Sequence, residues 1–164
     1  MCKRMTEQLS SLSMSTLVTP IQVMFFDTDA GGVVHNIAYL RFIETARTLL
    51  AVKLGMDWDY MTRTSVYPVV VRTEIDYRRP AVLGDELEVH GRLGEATPAR
   101  FWCHFEIRRP RDGSLLITCQ QALAFVKMPE GRPLRLPKGW PSPFLPEVLQ
   151  SQSPRPSTDS QLPI

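Results

Sequence analysis

The sequence predicts an α+β fold in which one long antiparallel sheet packs on a single helix. Three observations carry this. Five segments alternate apolar with polar residues or are rich in β-branched and aromatic residues, as strands are. One segment changes to a three- and four-residue period, as a helix does. The joins between the later strands are short and carry turn residues. A chain of 164 residues suffices for one domain with its own core.

Residues 1–15, MCKRMTEQLSSLSMS, are polar and without period, and are expected to form a flexible tail. They lack the continuous apolar stretch of a signal peptide. The first strand is expected over 17–26, where Ile21, Val23 and Phe25 alternate with Gln22 and Met24. The helix is expected over 37–54. There Tyr39, Phe42, Ile43, Ala46, Leu49, Leu50 and Leu54 share one face, and Arg41, Glu44, Thr48 and Lys53 fall largely off it. Asn36 is the candidate N-cap, and Gly55 the C-terminal stop.

Four strands follow: YPVVVRTEIDY (67–77), ELEVHGRL (86–93), ARFWCHFEIR (99–108) and SLLITCQQALAFVKM (114–128). In the second of them Leu87, Val89 and Leu93 oppose Glu86, Glu88, His90 and Arg92, the pattern of a half-buried strand. The joins RRPAVLGD, GEATP and RPRDG supply turns, the last with an Asp112-Gly113 hairpin signal. Nine of the 14 prolines lie from Pro129 to Pro163, so neither helix nor central strand can propagate there. Leu134, Leu136, Trp140 and Phe144 are expected to pack on the domain, which spans 16–145; residues 146–164 are expected to be disordered. An open sheet leaves edge strands, which continuation across a dimer would protect.

Composition excludes several functions. A net charge of +2 gives no basic stripe for nucleic acid. No apolar run approaches 18 residues, so no membrane-spanning helix is expected. The three cysteines, Cys2, Cys103 and Cys119, have no metal-ligand spacing. A hairpin at Asp112-Gly113 would set Cys103 opposite residue 122 and Cys119 opposite 106, on different faces of the sheet, so a bridge between them is not expected. Reduced thiols suit the cytoplasm.

The stretch FFDTDAGGVVHNIAYLRFIETAR (25–47) sets two carboxylates and two glycines directly before the helix. An Asp before a helix is most often its cap. Asp29, however, stands seven residues ahead of Asn36 and is poorly placed for that; Asp27 reads as the structural member of the pair, holding the turn. Glu44 and Arg47, at i,i+3, read as an ordinary intrahelical ion pair.

The residues Asp27, Asp29, Gly31, Gly32, His35, Asn36, Tyr39, Glu44, Ala46 and Arg47 resemble the signature of the hotdog-fold acyl-CoA thioesterases, in the 4-hydroxybenzoyl-CoA thioesterase-like branch. A second stretch, IDYRRPAVLGDELEV (75–89), resembles the same branch in register, and the resemblance covers residues 17 to about 140. It implies a hotdog fold, a sheet wrapped around one long helix and continued across a homodimer, with pairing into a homotetramer as a further step. It implies hydrolysis of an acyl-CoA, with Asp29 as general base or nucleophile. The backbone N–H of Asn36 would be an oxyanion donor, and His35 a further candidate. Gly32, Val34, Tyr39, Val70 and Arg100 fall to substrate binding.

Such chemistry is physically coherent: a carboxylate activates the attack, and helix N-terminal amides stabilise the developing oxyanion. The thiol leaving group needs little acid help, and no metal or cofactor is implied. Candidates for the coenzyme A phosphates are Arg78, Arg79, Arg100, Arg108, Arg109, Arg111 and Lys127. Phe26, Tyr39, Met61, Tyr67 and Trp102 could shape an aromatic pocket, though an aliphatic chain would suit it too. The alternatives are a hotdog hydratase or dehydratase using an Asp–His pair, and a non-catalytic module binding acyl-CoA or an acyl carrier protein.

Overall fold

The chain runs β1 (Thr16–Gln22), α1 (Asn36–Lys53), α2 (Trp58–Thr64), β2 (Val66–Tyr77), β3 (Glu86–Ala96), β4 (Phe101–Arg109), β5 (Ser114–Lys127) and β6 (Arg132–Leu134). The computed structural model describes residues 16–136. Expectations for 1–15 and 137–164, including both tails, Cys2, Trp140 and Phe144, lie outside the described residues. The strands form one antiparallel sheet in the order β1-β3-β4-β5-β2, with β6 on the end of β5.

Strand pleating sorts the side chains. On β4, Phe101, Cys103, Phe105 and Ile107 are buried, while the residues between them are only half-buried. Their partners on β5 (Leu123, Gln121, Cys119 and Ile117) are buried on the same face. Helix α1 lies on that face and buries Ala38, Tyr39, Phe42, Ile43, Ala46 and Leu50. Each large apolar side chain so buried contributes about 1.5–3 kcal/mol. Leu134 and Leu136 pack against this core, as expected.

The structure corrects the sequence reading at five places. First, β1 ends at Gln22 instead of 26. The Val23 amide donates to the Asp85 carbonyl (2.9 Å) and the Met24 amide to Asp27 Oδ2 (3.0 Å), which turns the chain away from β3 into a 3-10 turn at Phe25–Asp27. Second, the sheet has six strands, not five, and a second helix, α2, precedes β2. The Asp57 carboxylate caps α2 by accepting from the Tyr60 amide at 2.7 Å, and Ser65 ends it with φ 52°. Third, Leu49 turns outward and is 45% exposed.

Fourth, His35 rather than Asn36 is the N-cap of α1. Its Nδ1 accepts from the Ala38 amide at 3.2 Å, which makes Asn36 the first helical residue. Fifth, an irregularity between Ile107 and Arg108 shifts the β4–β5 register by one. Cys103 therefore pairs with Gln121, and Cys119 with Phe105, so the two thiols share the helix-facing side. Both are buried and free.

The strands β1 and β2 are the edges of the sheet. On β2, Pro68, Val70, Thr73, Ile75 and Tyr77 pair with the inward residues Phe125, Leu123, Gln121, Cys119 and Ile117, so they face the helix side. A bulge at Val70/Arg72 interrupts this edge, and Val70–Glu74 are exposed.

Candidate active site

The loop from β1 to α1 is built on Asp27. The residue is 2% exposed, and its carboxylate takes the Met24 amide on Oδ2 (3.0 Å) and Arg41 Nη2 on Oδ1 (2.8 Å). Its carbonyl accepts from the His35 amide at 3.0 Å, so one residue ties the loop's start to its end and to α1. Arg41 also lies over the exposed Phe26 ring, 5.6 Å from its centroid.

Asp29 heads a tight turn. Its amide donates to the Val33 carbonyl (2.9 Å), and its carbonyl accepts from the Gly32 amide (3.0 Å). Oδ1 accepts from the Gly31 amide at 2.8 Å, and no protein partner lies on Oδ2 among the described residues. The glycines have separate reasons. A Cβ at Gly31 would come within 3.1 Å of Asp29 Oδ1, and Gly32 holds φ +73°, which other residues adopt at a cost of about 1–2 kcal/mol.

The second sequence motif is the brace for this loop. Val33 and Val34 bridge to it through Val82 and the Ala81 carbonyl (2.9 Å). The Ala81 amide donates to the Tyr39 hydroxyl at 2.8 Å, fixing the brace to α1. Asp85 is 1% exposed and anchors the other end: Oδ2 accepts from the Val82 amide (3.1 Å) and from Arg109 Nη1 (2.9 Å), while Arg111 Nη2 lies 2.9 Å from Oδ1.

An open cavity of about 450 Å³ lies between loop, helix and brace, lined by Asp29, Val34, His35, Asn36, Tyr39 and Tyr77, with Arg78, Arg79 and Pro80 at its side. At its floor α1 begins. With His35 Nδ1 accepting from Ala38, the neutral ring carries its proton on Nε2 and can donate a hydrogen bond. The Asn36 amide has no hydrogen-bond partner among the described residues, as the first turn of a helix allows. Tyr39 is buried and its hydroxyl occupied by the Ala81 amide; burial pushes its pKa upward, so it stays protonated.

Not every predicted residue arrives here. Asp29, Val34, His35, Asn36 and Tyr39 line one cavity, and Gly32 shapes the turn behind it. Val70 pairs with Leu123, seven residues along β2 from Tyr77, or roughly 20 Å at strand rise. Arg100 sits beyond, in the β3–β4 turn. A single chain thus keeps both from Asp29. The proposed aromatic pocket does not assemble either: Tyr67 and Trp102 point to the sheet face away from α1, and Phe26 is 67% exposed.

Among the phosphate candidates, Arg108 pairs with Glu106, Arg109 with Asp85 and Asp112, Arg111 with Asp85, and Lys127 donates to the Thr64 carbonyl. Arg78 and Arg79 remain beside the cavity, held there by their amides on the Leu116 carbonyl (2.8 and 3.2 Å). Arg47 is more than half of an intrahelical pair. Its contact to Glu44 is 3.4 Å, whereas Nη1 reaches Gln121 Oε1 at 2.8 Å. Tyr77 was the lining residue least legible beforehand; only its place at the head of the second motif marked it. No three His, Cys, Asp or Glu side chains among the described residues are grouped to hold a metal ion. No helix among them is long and apolar enough to cross a membrane.

Comparison with known proteins agrees with this architecture. The acyl-CoA thioesterase YbgC of Haemophilus influenzae is 34% identical over 120 residues, 73% of this chain and 87% of its own. The 1,4-dihydroxy-2-naphthoyl-CoA hydrolase of Synechocystis is 27% identical over 133 residues, 77% of this chain and 93% of its own. A probable thioesterase from Bartonella henselae superposes with a TM-score of 0.68 at 28% identity, over 75% of this chain and all of that one. The protein is a thioester hydrolase with the hotdog fold. More particularly, the chain belongs to the thioesterase-like superfamily, which matches residues 23–152.

Proposed function

We propose that the protein hydrolyses acyl-CoA thioesters to the free acid and coenzyme A, with Asp29 and the Asn36 amide as the reacting pair. The observation that carries this is their position on one open cavity: among the described residues, the carboxylate has an oxygen without a partner and the helix N-terminal N–H has no protein acceptor. Asp29 takes a proton from water as the water oxygen bonds to the thioester carbonyl carbon. The carbonyl oxygen becomes an oxyanion facing the Asn36 N–H and, beside it, the His35 Nε2–H. Collapse re-forms the C=O bond, the C–S bond breaks, and the thiolate leaves with its electron pair, taking back the proton from Asp29. Direct attack by Asp29, giving an anhydride that water then opens, uses the same groups. No metal or cofactor enters either route.

The relatives named for acyl-CoA substrates support this ligand class. Arg78 and Arg79 are the cations suited to its phosphates. The His35 geometry favours hydrolysis over hydration, since Nδ1 is committed to the helix cap and makes no bond to Asp29. The free, buried thiols suit a cytoplasmic protein. Asp29→Asn is the test, with thiol release followed on acyl-CoAs. Retention of activity within a few-fold of wild type would overturn the assignment.

The dimer belongs to the same proposal. The exposed β2 edge is the free pairing surface next to the cavity. Antiparallel two-fold pairing centred on residue 72 or 73 sets Tyr77 of one copy beside residues 67–69 of the other. Val70 thereby comes toward the second copy's Asp29, the neighbourhood it lacks within one chain. Light scattering is expected to give at least twice 18.6 kDa for the active species. A fully active monomer would refute the shared site.

A further inference from the structure

Asp85, 1% exposed, is the most deeply buried charged residue among those described. A buried carboxylate is costly to desolvate, and the turn at 82–85 does not call for one. The Asp85 amide on the Val82 carbonyl (3.1 Å) already closes that turn. Two arginines of the β4–β5 hairpin nevertheless converge on the side chain. Arg109 Nη1 donates to Oδ2 at 2.9 Å. Arg111 Nη2 lies 2.9 Å from Oδ1 without being aligned to donate, so Oδ1 has no hydrogen bond among the described residues.

This carboxylate joins two runs of contacts. Inward, Oδ2 holds the Val82 amide (3.1 Å). Residues 81 and 82 in turn carry the Asp29 turn, through the Val33–Val82 bridge and the Val34 amide on the Ala81 carbonyl (2.9 Å). Outward, Arg109 also donates to Asp112 Oδ2, from Nε at 3.0 Å and Nη2 at 2.8 Å. Asp112 Oδ1 accepts from the Ser114 amide at 3.0 Å, and the Ser114 hydroxyl accepts from Arg79 Nη1 at 3.3 Å. These outer groups wall a further open cavity, of about 480 Å³, lined by Arg78, Arg79, Asp112, Gly113, Ser114 and Leu115. Arg78 and Arg79 line this cavity and the Asp29 cavity alike. Guanidinium and hydroxyl donors suit a phosphate, and Asp112, the acid of that lining, is neutralised by Arg109.

We infer that Asp85 is a positioning residue: it couples phosphate binding at the hairpin cavity to the setting of the Asp29 turn, so that the phosphates of coenzyme A raise the rate of the chemical step as well as the affinity. This rests on the thioesterase reading above, with Arg78 and Arg79 as the phosphate cations. Binding energy from a remote, unreacting part of a substrate speeds the reaction where it orders the reacting groups. Asp29 is exposed and its carboxylate holds one amide, that of Gly31 at 2.8 Å, so its aim depends on the brace behind its turn. A phosphate that draws Arg79 and the Ser114 hydroxyl onto itself acts on the hairpin tip carrying Asp112. Arg109 is shared between Asp112 and Asp85, so a movement of that tip reaches the brace.

The test compares octanoyl- and benzoyl-CoA with the N-acetylcysteamine thioesters of the same acids, which lack the phosphates, by thiol release from the full chain. Wild type is expected to show a kcat roughly 5–150-fold higher on the coenzyme A thioester, the range of a typical coupling between sites. In Asp85→Asn that ratio should fall to about one to two, with KM for the coenzyme A thioester changed by less than about threefold. A fastening without coupling would lower both rates together and leave the ratio as in wild type. The ratio is internal to each protein and so independent of the folded fraction.

Asp112→Asn cuts the same run from its outer end, at a side chain 41% exposed, and should lower the ratio in the same direction without unfolding the chain. It decides the matter should Asp85→Asn fail to fold. Adenosine 3′,5′-bisphosphate, supplying phosphates as a separate molecule, should raise kcat of wild type on the N-acetylcysteamine thioester and leave that of Asp85→Asn unchanged. Wild-type ratios in both variants would overturn the coupling while leaving hydrolysis standing. So would a wild-type preference for coenzyme A carried by KM alone, or bisphosphate that gives no stimulation at concentrations inhibiting coenzyme A thioester hydrolysis. No thiol release from any thioester by wild type would overturn the thioesterase reading and this inference together.

Discussion

Asp27 and Asp29 are two residues apart, yet the two halves of their loop treat a carboxylate in opposite ways. In residues 24–28 the carboxylate belongs to a residue 2% exposed and is committed to the Met24 amide and Arg41. In residues 29–36 it is exposed, holds one amide of its own turn and leaves an oxygen open to a cavity. A buried acceptor with two donors is a fastening: removing it strands Met24 N–H and loosens α1. An exposed acceptor with a free oxygen contributes little to stability, and that freedom suits it to chemistry. The difference lies in surroundings, not in residue type.

Neutralising each aspartate in turn should separate the two roles most strongly. Asp29→Asn is expected to lower kcat/KM about 10²–10⁴-fold, equivalent to about 2.7–5.5 kcal/mol, with an unchanged melting temperature. Asp27→Asn is expected to lose about 1–3 kcal/mol of stability in urea titration, since one buried acceptor is replaced by an amide. Equal rate losses with equal stability would show that the loop does not divide its labour. Next comes His35, which stands in the second half and is tied to the first by its amide on the Asp27 carbonyl. His35→Ala should cost about 0.5–2 kcal/mol as a lost cap, and His35→Asn should restore most of it. If the Asn variant regains stability but not rate, the Nε2–H acts on substrate; full recovery of both would reduce His35 to a cap.

The smallest effect concerns the core behind the loop. Burial pushes the Cys103 thiol up to about 12 and Cys119 to about 11, against an ordinary value of 9.0, with Arg47 pulling both partly back. An unfolded chain therefore releases these protons first as pH rises. Their contribution is complete below pH 9 and is lost between pH 9 and the folded values. Stability in urea should fall from pH 8 to pH 10, by less in Cys103→Val, and neither thiol should react with a thiol dye until the chain unfolds. Rapid labelling of the native protein at Cys103 would show that the core opens.

Much of this was legible in residue order. The helix face and the β3 alternation follow from periodicity, which burial enforces position by position. What escaped depends on details that periodicity does not encode. Phe25 continues the alternation of β1 but is 81% exposed, because a side chain two residues on captures the backbone at Met24. The β4–β5 register hung on one irregular residue pair, and a slip of one put Cys119 on the wrong face. Helix α2, seven residues long, is too short for a period to show. In the candidate site, Asp29 and Asn36 were marked by motif, but the role of the RRPAVLGD segment as a brace emerged only from hydrogen bonds between distant residues, such as Ala81 to Tyr39, 42 positions apart.

The Asn36 amide at the start of α1, without a partner among the described residues, has a consequence for how such a protein can diverge. A donor carried by the main chain is supplied by every residue except proline, so position 36 can change its side chain without losing that function. Asn36 is then replaceable by drift, while the geometry that aims its N–H is inherited through Asp27, His35 and the two glycines. Under the mechanism proposed above, lineages would differ at the residue whose amide is assigned to the substrate and agree at those that never touch it. Proline at 36 would be the lone fatal letter.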